Sequence, residues 1–132
     1  MTLNSRAPNQ ALQRTAMKML NWFQRTQPRG VHFGEAAAQW ASTRFAPHLQ
    51  PIAAYVADLL CEQLGVQLSV IESGTTFTAD LRMDELEPVE CVLALEEDLG
   101  IAIPDEDCTR LNTVTDLVLY LHERLSPNGR KA

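Results

Sequence analysis

Aromatic residues make up only 6% of the 132-residue chain, and its three cysteines (Cys61, Cys91, Cys108) fall singly inside apolar patterns. An odd, unclustered set of cysteines excludes a disulfide framework and predicts reduced, buried thiols. No apolar run approaches the roughly 18 residues of a bilayer-spanning helix, and no secretory apolar core follows the N-terminal charges. Internal repeats and low-complexity tracts are also missing, so fibrous and repetitive architectures are excluded. The expected location is cytoplasmic. Acid-free residues 1–34 with scattered arginines leave an organellar transit segment as the alternative.

What the chain does have is 45% hydrophobic residues and charge of two signs kept apart. Residues 1–50 carry six basic side chains (Arg6, Arg14, Lys18, Arg25, Arg29, Arg44) against Glu35 alone, a net of +5. Residues 51–132 carry five basic and sixteen acidic side chains, a net of -11. An acidic body of this kind repels a nucleic-acid backbone and attracts basic partners. No nucleic-acid partner is therefore expected.

Helical spacing divides the chain further. In Pro8 to Thr26, residues Leu12, Ala16, Met19, Leu20 and Phe23 share one arc opposite Arg14, Lys18 and Arg25, which predicts a basic amphipathic helix. Contact of that helix with a membrane surface or with protein is left open. A weaker amphipathic stretch runs from Glu35 to Phe45. The compact body, 51–126, opens with a helix through Ile52, Val56, Leu59, Leu60 and Leu64, stopped by Gly65. A long loop from Val66 to Met83 follows, anchored by Ile71, Phe77 and Leu81. Helices are then predicted over Asp84–Leu99, Asp105–Arg110 and Val114–Leu125, with capping pairs at Asp84/Glu87 and Thr113/Asp116. Residues 127–132 form a tail. The predicted class is all-α: a four-helix bundle with a long first loop and an N-terminal helical extension, 1–50.

On the second helix of the body, Cys91, Val92, Leu95 and Leu99 form an uninterrupted apolar arc that should face the core. Leu86, Val89, Glu90, Leu93, Glu96 and Glu97 lie on the other side, aliphatics beside acids. That mixture suits either a docking surface for a basic, partly apolar protein or a wide stripe with solvated carboxylates. The remaining chemistry is sparse. His32, His48 and His122 stand in unrelated contexts, the cysteines have no histidine at ligand spacing, and Asp105-Glu106-Asp107 reads as an acidic helix start. No catalytic or metal-ligating residue is predicted, so the expected protein is not an enzyme.

The motifs Phe77-Thr-Ala-Asp80-Leu81, Asp84-Glu85-Leu86, Val89-Glu90, Ala94-Leu95-Glu96-Glu97-Asp98, Ile103-Pro104-Asp105-Glu106 and Thr113-Val114 occur in order. From Ile52 to Leu125 the chain thereby resembles the acyl carrier protein family. The resemblance implies a four-helix bundle that carries acyl chains on a phosphopantetheine arm and docks its enzymes on the second helix. It favours the docking reading of Leu86, Val89, Glu90, Leu93, Glu96 and Glu97.

One departure matters. The family attaches its arm to serine in Asp-Ser-Leu, and this chain reads Asp84-Glu85-Leu86. A carboxylate attacking a pyrophosphate would give a labile mixed anhydride in place of a phosphodiester. Pro88 is further expected to delay the regular helix, leaving Asp84 to Glu87 extended or irregular. Ser69 and Ser73, the nearest upstream hydroxyls, belong to the loop. The reading at this level is a non-enzymatic docking module without a cofactor, engaging enzymes of fatty-acid or polyketide-type metabolism. The alternative is a functional acyl carrier protein bearing 4'-phosphopantetheine. Sequence does not decide whether translation starts at Met1, Met17 or Met19.

Overall fold

The computed structural model describes residues 30–126. The predicted helix over Pro8 to Thr26 and the 127–132 tail lie outside the described residues. Five helices follow in order: α1 (Glu35–Ser42), α2 (Gln50–Leu64), α3 (Leu86–Leu99), α4 (Asp105–Cys108) and α5 (Val114–Leu125). Among the described residues there is no β-strand, only an isolated antiparallel bridge between Thr76 and Thr113.

Burial explains the arrangement. In α2, residues Ile52 to Ala57, Leu59, Leu60 and Gln63 are all buried, so this helix has almost no solvent face and packs against α1, α3 and α5. Its first turn accommodates Pro51, whose missing N–H has no intrahelical partner there. Gly65 closes it at φ 71°, a left-handed cap that lets its N–H reach the Cys61 carbonyl. Ile71, Leu95, Val114, Val118 and Leu121 are fully buried around it.

The stretch before the body is part of the core. Ala37, Trp40 and Ala41 of α1 are buried, and Trp40 Nε1 donates to the Ile71 carbonyl at 2.7 Å. The tryptophan therefore ties α1 to the long loop through an interaction spanning 31 residues. Arg44 adds an exposed fork to Glu72, with bonds of 2.9 and 3.1 Å, which holds the Glu72 carboxyl below its ordinary range through the hydrogen bond first and the guanidinium charge second.

The long loop is fastened along its length. Ile71 anchors it, and it runs beside residues 112–115, where Phe77 N donates to Asn112 O and Val114 N donates to Thr75 O. The α5 start is held by the predicted capping box: Thr113 Oγ1 accepts from Asp116 N at 3.1 Å, and Asp116 Oδ2 accepts from Thr113 N at 3.1 Å. Tyr120 Oη donates to Asp107 Oδ2 and accepts from Arg124 Nη1, both at 2.7 Å, which pins the short α4 to α5. Among the described residues no helix is long and apolar enough to cross a membrane.

Candidate functional site

The chain enters α3 through a tight turn. Arg82 adopts φ 57°, a left-handed conformation that costs an L-residue roughly 1–2 kcal/mol. Asp84 then caps the helix: its Oδ1 accepts from Leu86 N at 3.0 Å and Glu87 N at 2.9 Å, while Asp84 N donates to Glu87 Oε1 at 3.1 Å. This is the reciprocal cap read from the spacing.

The expectation that Pro88 delays the helix is corrected here. Helical structure starts at Leu86, and Glu85 already has helical angles, φ -67° and ψ -30°. The reason is local, because Pro88 sits in the first turn, where its absent N–H removes a single bond to the Asp84 carbonyl. The carboxylate of Asp84 compensates by taking two of the neighbouring donors. Glu85 is thereby held exposed at the mouth of the helix.

Along α3 two faces separate as predicted. Cys91 and Leu95 are buried, with Val92 and Leu99 half-buried against the core. On the other side Leu86, Val89 and Leu93 are each more than half exposed, at 57%, 54% and 52%. Glu90, Glu96 and Glu97 are half-buried beside them. The Glu96 carboxylate is also engaged internally, since its Oε2 accepts from Ile103 N at 2.7 Å and closes the turn after Gly100. It therefore presents less of its charge outward than the spacing alone suggests.

Four features escaped the sequence. Asp98 is buried, at 4% exposure, and its Oδ2 accepts from the Tyr55 hydroxyl at 2.9 Å, a tie between α3 and α2. On the helical wheel Asp98 borders the apolar arc, a signal that could have found it. The rings of His48 and His122, read as unrelated, lie 5.3 Å apart and edge-on across the start of α2 and the end of α5. Glu62, Asp58 and Asp98 line a small cleft of about 250 Å³ with His32 and Tyr55.

The fourth feature is a pocket beside the face. It has a volume of about 270 Å³ and is walled by Leu59 and Leu60 of α2, by Cys91, Val92 and Leu95 of α3, and by Ile103 and Leu117. Phe77, Met83 and Pro88 lie around it from the loop and the α3 start, with Thr78, Thr109 and Asn112 as its polar members. An apolar cavity of about 150 Å³ accommodates benzene, so this space suits a chain of about ten carbons. Cys91 and Cys108 line it. Desolvation first, then the nearby Asp105, Glu96 and Asp107 charges, pushes the Cys108 thiol up and keeps it neutral. No disulfide joins any of the three cysteines.

Against this geometry the comparisons are decisive. Residues 54–121 match the family described as the phosphopantetheine attachment site. The acyl carrier protein of Rickettsia canadensis (strain McKiel) is 38% identical over 71 residues, 54% of this chain and 83% of that protein. The chain belongs to the acyl carrier protein family. Residues 1–53 lie outside the family match.

The expectation of a chain without a cofactor is thereby overturned. The matched domain and the acyl carrier relative point to 4'-phosphopantetheine as the prosthetic group. The residues fit that group unevenly. The apolar pocket suits an acyl chain, whereas Glu85 at the family's attachment position brings a carboxylate in place of an alkoxide-forming oxygen. Ser69 and Ser73 remain in the loop, and the Ser73 carbonyl accepts from Thr115.

Proposed function

We propose that the chain is a non-enzymatic carrier-type module that docks through α3 onto an acyl-processing enzyme of fatty-acid or polyketide-type metabolism, with the acyl chain sheltered in the pocket behind that helix. The observation that carries the reading is the juxtaposition on one helix. The outward side of α3 presents Leu86, Val89 and Leu93 among carboxylates, and its inward side, at Cys91, Val92 and Leu95, walls the apolar pocket. A partner seated on α3 therefore lies one helix diameter from the sheltered chain.

The chemistry of the face defines the partner. Three half-exposed aliphatics give a small apolar centre, and Glu90 and Glu97 give an acidic rim. A complementary surface has an apolar depression ringed by Lys or Arg. The charges speed encounter and set orientation, and the aliphatics set residence time.

Pocket occupancy and docking are separable by nuclear magnetic resonance. A ten-carbon acyl pantetheine thioester should perturb amides at Leu59, Val92, Leu95, Ile103 and Leu117. An acyl-processing enzyme with a basic docking patch should instead broaden Leu86, Val89, Glu90, Leu93 and Glu97. Perturbations confined to α1 and α5 would contradict the reading.

A further inference from the structure

Histidine aside, the described residues hold four basic side chains, Arg44, Arg82, Arg110 and Arg124, against all 17 acids of the chain. Three of the four are committed. Arg44 forks onto Glu72, Arg110 Nη2 reaches Asp107 Oδ1 at 2.7 Å, and Arg124 bonds to the Tyr120 hydroxyl with its guanidinium over that ring. Arg82 is exposed and, among the described residues, is the one arginine whose side chain makes no ion pair, hydrogen bond or ring contact.

Its surroundings explain how it stays available. Asp80, Asp84, Glu85 and Glu87 lie within five residues of it, yet backbone donors take three of these carboxylates. Thr76 N donates to Asp80, Leu86 N and Glu87 N donate to Asp84, and Asp84 N donates to Glu87. The backbone at Arg82 is left-handed, φ 57°, and is held by Leu81 N on the Thr76 carbonyl and Met83 N on the Phe77 carbonyl. Glycine holds such a turn without steric cost, so a long cation stands where the smallest residue would fold more easily.

What adjoins Arg82 defines a ligand. Met83, the next residue, lines the apolar pocket with Phe77, Thr78 and Pro88, and Glu85, three residues on, stands at the family's arm-attachment position. A cation at the rim of an apolar space of about 270 Å³ suits a molecule that is apolar at one end and anionic at the other. We propose that the chain binds an acylated phosphopantetheine as a reversible ligand, with Arg82 taking the phosphate and the pocket taking the acyl tail. The planar guanidinium fork offers a phosphate two parallel N–H donors, and exposure limits the gain. No hydroxyl is needed at position 85, so the family's prosthetic group is accommodated beside Glu85. The assignment rests on the pocket reading proposed above and adds to it a residue for the polar end.

Two probes that differ only in the phosphate, S-decanoyl pantetheine and S-decanoyl 4'-phosphopantetheine, test it by nuclear magnetic resonance titration of the full-length chain. Both should perturb amides at Leu59, Val92 and Leu95. The phosphorylated probe should also perturb Arg82 and bind about fivefold tighter at low salt, the upper end for an exposed charge pair, and high salt should erase that preference. Arg82→Gln should bring the two probes to equal affinity, and Arg82→Lys should keep part of the difference. Arg82→Gly relieves the left-handed residue, so it should raise Tm while abolishing the preference, which separates phosphate recognition from a structural role. Equal affinity for the two probes in the parent chain, or a preference that survives in both Arg82→Gln and Arg82→Gly, would overturn the assignment and leave the pocket reading standing. No perturbation by either probe would overturn both.

Discussion

The tie between Tyr55 and Asp98 decides how rigidly α3 is presented, and Tyr55→Phe isolates it. Tyr55 is 2% exposed and Asp98 4%, so the bond of 2.9 Å between them is shielded from solvent. Phenylalanine keeps the ring and its packing but removes the donor. A hydrogen bond to a charged group contributes about 1.5–3 kcal/mol, and the loss leaves a buried carboxylate with one donor fewer. For a chain of this size about 4 °C of melting temperature accompanies each kcal/mol, so Tm should fall by about 6–12 °C. Asp98→Asn removes the charge and should cost less when paired with Tyr55→Phe than the two single changes added together. Thermal unfolding by calorimetry and denaturant titration give the cycle. A Tyr55→Phe loss under about 0.5 kcal/mol, or full additivity, would refute the claim that this pair fastens α3 to α2.

Cys91→Ser places a hydroxyl in the wall of an apolar pocket and should cost about 1–3 kcal/mol in denaturant unfolding, whereas wild-type Cys91 should react slowly with a thiol reagent. Glu85→Ser supplies an oxygen nucleophile at a helix start that is already properly capped; incubation with coenzyme A and a broad-specificity transferase should then add the arm's mass at position 85, and failure to load would show that Asp84 and Pro88 do not form a competent site. Removing residues 1–48 deletes Trp40 with its bond to Ile71 and should lower Tm by at least about 8 °C, given about 2 kcal/mol or more for a buried aromatic; Trp40→Phe alone should produce part of that loss.

The parts legible in sequence were those specified by neighbours along the chain. Val114–Leu125 appears with the boundaries its spacing and its Thr113/Asp116 box predict, and Gly65 ends α2 where a left-handed residue is needed. The same holds for the two faces of α3, because 3.6-residue periodicity assigns Cys91 and Leu95 inward and Leu86, Val89 and Leu93 outward. Pro88 misled because position within the first turn, rather than presence in the helix, determines its cost. What stayed hidden depends on partners far away in the chain. Tyr55 with Asp98 is separated by 43 residues, Trp40 with the Ile71 carbonyl by 31, and His48 with His122 lies across two elements. The pocket was hidden for the same reason, since its walls come from α2, α3, α4, α5 and the loops on either side of α3, which no local pattern relates. The cofactor question was misjudged from one residue, Glu85, against a family signal spread over residues 54–121.

Docking through α3 is tested most directly by measuring how Leu93→Ala and the Glu90→Lys/Glu97→Lys pair change binding to an acyl-processing enzyme with a basic patch. Leu93 is 52% exposed, so docking buries about half of its side chain, worth roughly 0.8–1.5 kcal/mol, and truncation to alanine should weaken Kd about three- to tenfold. Interferometry should resolve this as faster dissociation with nearly unchanged association. The charge-reversed pair should instead slow association and flatten its dependence on salt. Binding kinetics that are the same for both variants and the parent chain, across the salt range, would contradict the account.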